Sequence, residues 1–117
     1  NKIYEDDQTF AFLDIAPCNP GHTLVITKEH YSNLEEVPKE VLSHLISSVK
    51  MVGALIKDRL MVSGYNVQIN NDPVAGQVIP HLHFHIIPRH ENDGHKVWRQ
   101  GKYLAGEAEE IIKKLIS

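Results

Sequence analysis

The chain has 117 residues, 42% of them hydrophobic and 23% charged, with a formal net charge of −3 at pH 7. Such a length makes one domain, residues 1–117, able to bury roughly two-thirds of the surface its unfolded chain exposes. The acidic balance argues against a nucleic-acid polymer as main partner, no apolar run approaches membrane-spanning length, and no signal-like segment opens the chain.

In chain order, Thr9 to Asp14 predicts a strand running into a loop. The loop, Ile15-Ala16-Pro17-Cys18-Asn19-Pro20-Gly21, is punctuated by two prolines and a glycine. Cys18 is the only cysteine, so there is no internal disulfide and no Cys-x-x-Cys clip, and a cytoplasmic setting is expected. It has no obvious base beside it and reads as a small loop residue. Thr23-Leu24-Val25-Ile26-Thr27 is short and β-branched, a second strand.

Pro38 to Leu60 carries helical periodicity, with Val41, Leu42, Leu45, Ile46, Val49, Val52, Leu55, Ile56 and Leu60 on one broad face. Pro38 suits a first turn, and His44 is expected at the surface. Ser63-Gly64 ends the helix, and Tyr65 to Asn70 alternates as a third strand. Asn71 to Gly76 is a turn-rich connection leading to His81-Leu82-His83-Phe84-His85-Ile86-Ile87-Pro88-Arg89. This last segment alternates histidine with apolar residues, the period of a half-buried strand. All three imidazoles are then expected on one face, with Leu82, Phe84 and Ile86 in the core. The two final strands form an antiparallel hairpin with a long loop. A polar stretch follows, with His90 and His95 solvated and Trp98 at the edge of the core. Gly106 to Ile116 closes the chain as a helix with Ala108, Ile111, Ile112, Leu115 and Ile116 on its apolar side. The irregular order of strands and helices predicts an α+β fold: an antiparallel sheet, a long central helix and a C-terminal helix.

The chain has eight histidines, and the triplet is where chemistry concentrates. Imidazole serves both as metal ligand and as proton-transfer group, so a metal-dependent hydrolase with the triad as ligands is one reading and nucleophilic or acid–base chemistry the other. Gly76-Gln77-Val78 lies just ahead of the triplet. Glycine lets backbone N–H groups approach a ligand, and clustered N–H groups cradle anions. Asn70, on the neighbouring strand, is a further phosphate donor or else a strand-end turn residue.

Several blocks together resemble the histidine-triad (HIT) family of nucleotide-binding hydrolases and transferases. His81-Leu82-His83-Phe84-His85-Ile86-Ile87 matches its signature, Ala75-Gly76-Gln77 its phosphate-loop approach, and Phe12-Leu13-Asp14-Ile15 with Gly21-His22-Thr23-Leu24-Val25-Ile26 its N-terminal block. Lys28-Glu29-His30 continues that block, and the resemblance covers Ile3 to Arg89. It implies a HIT-like fold and a homodimer. It makes His83 the nucleophile that forms a nucleotidyl-histidine intermediate, with His85 and His22 at the phosphate site. Asp14 matches the ribose-binding position, Ile15 and Leu24 the base pocket. Asn70, Gly76, Gln77 and the Val78 N–H match phosphate contacts. Val78 replaces a hydroxyl residue found in some members. His30 and His81 match a supporting pair behind the nucleophile. In some bacterial-type members such a pair completes a zinc site with upstream cysteines. On the residues here the pair is expected to satisfy hydrogen bonds, and no metal or cofactor is required.

The activity implied is hydrolysis at the α-phosphate of a purine nucleotide conjugate, releasing AMP or GMP. The conjugate is a dinucleoside polyphosphate such as diadenosine tetraphosphate, or a nucleoside phosphoramidate. Arg89 tilts the choice toward polyphosphates, since a guanidinium suits extra phosphates. A regulatory module that binds nucleotide with little turnover would carry the same residues.

Overall fold

The computed structural model describes residues 1–116. Its elements are β1 (Lys2–Glu5), β2 (Thr9–Leu13), β3 (Thr23–Thr27), α1 (Lys39–Arg59), β4 (Gly64–Gln68), β5 (His83–Arg89) and α2 (Glu107–Ile116). The strands form one antiparallel sheet in the order β1-β2-β3-β5-β4. The expected α+β architecture and the β4–β5 hairpin are present.

Strand β5 explains the layering. Phe84 and Ile86 are buried, and Leu82 just before them is 1% exposed, whereas His83, His85, Ile87 and Arg89 face the other way. The buried side meets α1, which packs across β2, β3, β4 and β5. Leu45, Val49, Val52 and Ile56 come from the helix, Ala11 and Val25 from the strands. Full burial of such side chains stabilises by roughly 1.5–3 kcal/mol each, which makes this the main source of stability. Gly53 permits the close approach: a Cβ there would stand 2.7 Å from the Tyr65 ring. Thr9 and Ser48, both buried, satisfy each other across the layers at 3.0 Å.

Several expectations need correction. β1 was not foreseen, and it extends the sheet beside β2. The buried stripe of α1 is narrower than its periodic face: Ile46, Leu55 and Leu60 are 46%, 38% and 48% exposed, because the sheet covers only the centre of the helix. His44 stays at the surface as expected, and its Nε2 lies 2.8 Å from Asp6 Oδ2. That carboxylate also accepts from Tyr4 Oη and, through Oδ1, from the Gln8 and Thr9 N–H groups, and so closes the β1–β2 turn. Trp98 is not a core-edge residue but 76% exposed. The apolar side of α2 lies open, with Ile112, Leu115 and Ile116 at 52%, 77% and 79% exposure. The Cα radius of gyration, 16.6 Å, reflects this projecting arm; a compact 100-residue domain has about 13 Å.

Candidate active site

The face of the sheet opposite α1 carries the histidines. Register places Leu24 and Gln68 on either side of His85, and Ile26 beside His83. His22, one residue before β3, is 4% exposed and brings its ring against His85, with centroids 5.1 Å apart. The His83 and His85 rings lie 5.0 Å apart.

Hydrogen bonds fix where the protons are. The Cys18 N–H donates to His22 Nδ1 at 3.1 Å, so that nitrogen holds a lone pair and His22 Nε2 holds the proton. His22 Nε2 is 2.9 Å from His85 Nδ1, so His22 donates and His85 Nδ1 accepts. His85 therefore carries its own proton on Nε2. That atom is buried and has no partner among the described residues. A buried unpaired N–H is costly, and it marks a donor held ready for a ligand. His83 is set the opposite way: its Nδ1–H donates to the His81 carbonyl at 2.8 Å, leaving Nε2 with a free lone pair. Two neighbouring rings thus offer a free lone pair on one and an N–H without an acceptor on the other.

Burial holds both partner imidazoles neutral. His85 is pushed down to about 4, first by desolvation, then by His83 and His22, against a smaller opposing pull from Asp14. Desolvation also lowers His22, opposed by Asp14, whose Oδ2 lies 3.7 Å from His22 Nε2.

Asp14, His22 and His85 bring candidate metal-donor atoms within 4.8 Å of one another. The protonation pattern does not suit a cation. A metal on His22 Nε2 would require a proton on Nδ1, where the Cys18 N–H already points. The donor set fits a hydrogen-bonded chain better than a coordination sphere.

Burial alternates through His81, with Leu82 inside, but the His81 ring makes its bonds away from the His22, His83 and His85 cluster. The regular strand begins at His83. The His81 N–H turns back to the Ile79 carbonyl at 2.8 Å, and its ring bonds Thr27 O at 2.9 Å. Its Nδ1 meets His30 Nδ1 at 3.2 Å, the expected pair behind the nucleophile. His81 serves His83 through its backbone oxygen.

The turn ahead of the strand is braced from within. Gly76 has φ +98°, a left-handed conformation that glycine adopts without strain. The Gln77 side chain is fully used, donating to Ser32 O at 2.6 Å and Ile79 O at 3.1 Å and accepting from the Asp72 N–H. It shapes the turn and is not a free phosphate donor. Asn70 Nδ2 reaches only Gly76 O, at 3.5 Å. Val78 is 89% exposed, and its N–H has no acceptor among the described residues.

Next to the histidines runs an apolar strip. By register Phe10, Phe12, Leu24 and Ile26 share the open face, and the two phenyl rings stack at 5.3 Å. Ile15 is 92% exposed and forms no wall. Phe10, Phe12 and Ile26 were not singled out in the sequence, although their alternation in two adjacent strands was the available signal for this strip. On the other flank, a cleft of about 650 Å³ runs past Gln68, Asn70, Ile87 and Trp98. Arg89, which also lines it, is already engaged: Nε and Nη2 grip Asp93 at 2.7 and 3.0 Å, and Nη1 bonds Asn66.

A family model described as the HIT domain matches residues 1–92. The chain belongs to the HIT family. An uncharacterised HIT-like protein of Methanocaldococcus jannaschii is 44% identical over 113 residues, 97% of this chain and 86% of the relative. An Arabidopsis thaliana relative named adenylylsulfatase is 44% identical over 92 residues, 79% of this chain but 47% of its own length. A Schizosaccharomyces pombe relative named adenosine 5′-monophosphoramidase is 42% identical over 88 residues, 75% of this chain and 63% of its own. Among solved structures, a HIT family member from Bacillus subtilis superposes with a TM-score of 0.86 at 35% identity, covering 97% of this chain and 84% of that one. The HIT fold is thus shared along almost the whole chain.

Proposed function

We propose that this HIT protein hydrolyses AMP conjugates at the α-phosphate, with His83 as the nucleophile. The observation that carries this is the opposed protonation of neighbouring rings: a lone pair on His83 Nε2 and a buried, unpartnered N–H on His85 Nε2. His83 Nε2 bonds to phosphorus as the bond to the leaving group breaks. The leaving group departs with its electron pair and takes a proton from solvent. His83 then bears positive charge, which the His81 carbonyl stabilises at Nδ1–H. His85 Nε2–H donates to a phosphoryl oxygen as charge builds there. Water then attacks phosphorus, its proton passes to solvent, and AMP leaves with His83 restored. Covalent catalysis divides one difficult displacement into two easier steps.

The apolar strip of Phe10, Phe12, Leu24 and Ile26 suits a purine, and Asp14 beside His22 suits the ribose hydroxyls. The Val78 N–H, free at the turn, suits a phosphate oxygen. Arg89 is taken by Asp93, so the earlier ground for preferring polyphosphates falls away, and a phosphoramidate or similar single-phosphate conjugate is the better substrate. The relatives named for phosphoramidase and adenylylsulfatase activity support the same class. The unpaired edge of β4 and the open apolar side of α2 support a homodimer, and the lone exposed Cys18 supports a cytoplasmic setting.

The test is a substrate panel with product analysis: adenosine 5′-phosphoramidate, adenylylsulfate and diadenosine tetraphosphate, with acid-quenched enzyme examined by mass spectrometry. Release of AMP with an adenylyl adduct on His83 supports the reading. Absence of turnover across the panel sinks it.

A further inference from the structure

We propose that Asn19, Asp93 and His95 are positioning residues: they clamp the backbone at Cys18 and Asn19, and so hold the adjoining Cys18 N–H that sets the tautomer of His22 and thereby the direction of the His85 donor. None of their side chains bonds an imidazole of the cluster. The activity readout rests on the hydrolase reading above; the tautomer readout does not.

The chain of contacts is continuous. Asn19 is 9% exposed, and its Nδ2 donates to the Pro88 carbonyl at 2.8 Å and to Asp93 Oδ2 at 3.1 Å. Both partners only accept, so the amide has one orientation. Asp93 is held in turn by Arg89 and by the His90 and His95 N–H groups, at 3.1 and 3.0 Å. These donors keep its carboxyl well below the usual carboxylate range, led by Arg89. His95 then reaches across and donates Nε2–H to the Cys18 carbonyl at 2.9 Å. The Asn19 carbonyl accepts from the His22 N–H at 3.0 Å. The backbone is therefore held at the Cys18 and Asn19 carbonyls, just after the Pro17–Cys18 peptide whose N–H meets His22.

What Cys18 presents to His22 is its backbone N–H, which can only donate. His22 must accept on Nδ1, and the rest follows in one direction. If the Cys18 N–H drifts away, the alternative tautomer of His22 becomes accessible, with its proton on Nδ1. His22 Nε2 would then hold a lone pair against His85 Nδ1. To restore that hydrogen bond His85 must move its own proton to Nδ1. Its Nε2 becomes a lone pair facing the phosphoryl oxygen, a repulsive contact where an attractive one is needed. The clamp thus decides the sign of an interaction at the reacting centre.

Three variants test this: Asn19→Ala, the near-isosteric Asn19→Asp, and His95→Ala at an exposed position. Long-range ¹H–¹⁵N spectra of the imidazoles report tautomers directly. In wild type His22 and His85 are expected as Nε2–H. In each folded variant both rings should populate the Nδ1–H form. On adenosine 5′-phosphoramidate kcat should fall by about tenfold or more, as for other small losses of alignment remote from the chemistry. Adenosine affinity should stay unchanged, because Asp14 and the apolar strip are held by the β2–β3 pairing, whereas AMP should bind more weakly as the His85 donor is lost. His95→Ala keeps the test open if the Asn19 variants do not fold. Unchanged tautomers in any folded variant overturn the proposal. A wild type inactive on every nucleotide conjugate would defeat the hydrolase reading but leave the tautomer result to decide this one.

Discussion

The Nε2 atom of His22 lies 2.9 Å from the Nδ1 atom of His85. With His22 Nδ1 already accepting from the Cys18 N–H, the proton between the rings belongs to His22. The pair is directional, and its free end is the buried His85 Nε2, on a ring 5.0 Å from that of His83.

Replacing His83 with alanine should leave the fold intact and abolish turnover. The side chain faces the open side of the sheet, so no core contact is lost. Loss of a covalent nucleophile costs about 10⁴- to 10⁶-fold in comparable hydrolases. Steady-state kinetics with circular dichroism checks this; near-native turnover with the same products would rule out His83 as nucleophile.

Stability should fall as pH drops from about 6.5 toward 4. His85 has a folded pKa of about 4, below its unfolded value near 6.5, so the unfolded chain binds the extra proton first. Its contribution is fully present above the unfolded value and is lost as pH falls to the folded one. His22 is lowered too and acts in the same direction. Each group contributes at most about 1.4 kcal/mol per pH unit in that window. Paired carboxylates such as Asp6 and Asp93, held below the usual range, act mainly below about pH 4. Urea unfolding at a series of pH values should therefore show a slope between pH 6.5 and 4.5 that His85→Gln reduces. An unchanged slope in that variant would contradict the assignment.

Asp14 should discriminate for ribose. Its carboxylate stands at the mouth of the loop with Oδ1 bound to the Ala16 N–H and Oδ2 toward His22. Charge-assisted bonds to ribose hydroxyls are worth about 1.5–3 kcal/mol. Calorimetry should give weaker binding of 2′,3′-dideoxy-AMP than of AMP, and Asp14→Ala should remove the difference. Equal affinities in wild type would argue against this role.

AMP should bind measurably better than adenosine. The unpaired Val78 N–H and His85 Nε2–H supply donors for a phosphate that a nucleoside leaves unused. Competitive titration compares the two; equal affinity would mean that no phosphate site exists.

Asp6→Ala should destabilise the fold by about 1–3 kcal/mol, because it strands the Thr9 N–H in a buried position and removes the Gln8 and His44 partners. Chemical denaturation measures this, and a change under about 0.5 kcal/mol would be that of an ordinary surface site.

Much of this was legible in the sequence because β5 obeys a strict period of two. Phe84 and Ile86 had to be buried and His83 and His85 had to face together. The period also puts Leu82 inside and His81 outside, but it does not reveal that the His81 ring spends its nitrogens on Thr27 and His30. β1 went unseen because four residues, Lys2 to Glu5, are too few to display a period. Arg89 was given to phosphates although Asp93 stands four residues on, a spacing that only the folded loop turns into a grip. The Cys18 N–H leaves no trace in residue identity, since every residue but proline has one. Tautomers set by main-chain donors are therefore invisible to a reading of side chains.

The hold on the nucleophile has a consequence for how this site tolerates change. His83 is aimed by the carbonyl of His81, an atom present whatever residue occupies that position. The His81 imidazole is thereby released from duty at the phosphorus and spends its two nitrogens on Thr27 and His30. A lineage can exchange that ring, or recruit it for other work, without disarming the attacking nitrogen. The same freedom is denied at position 85, where the ring itself is the donor.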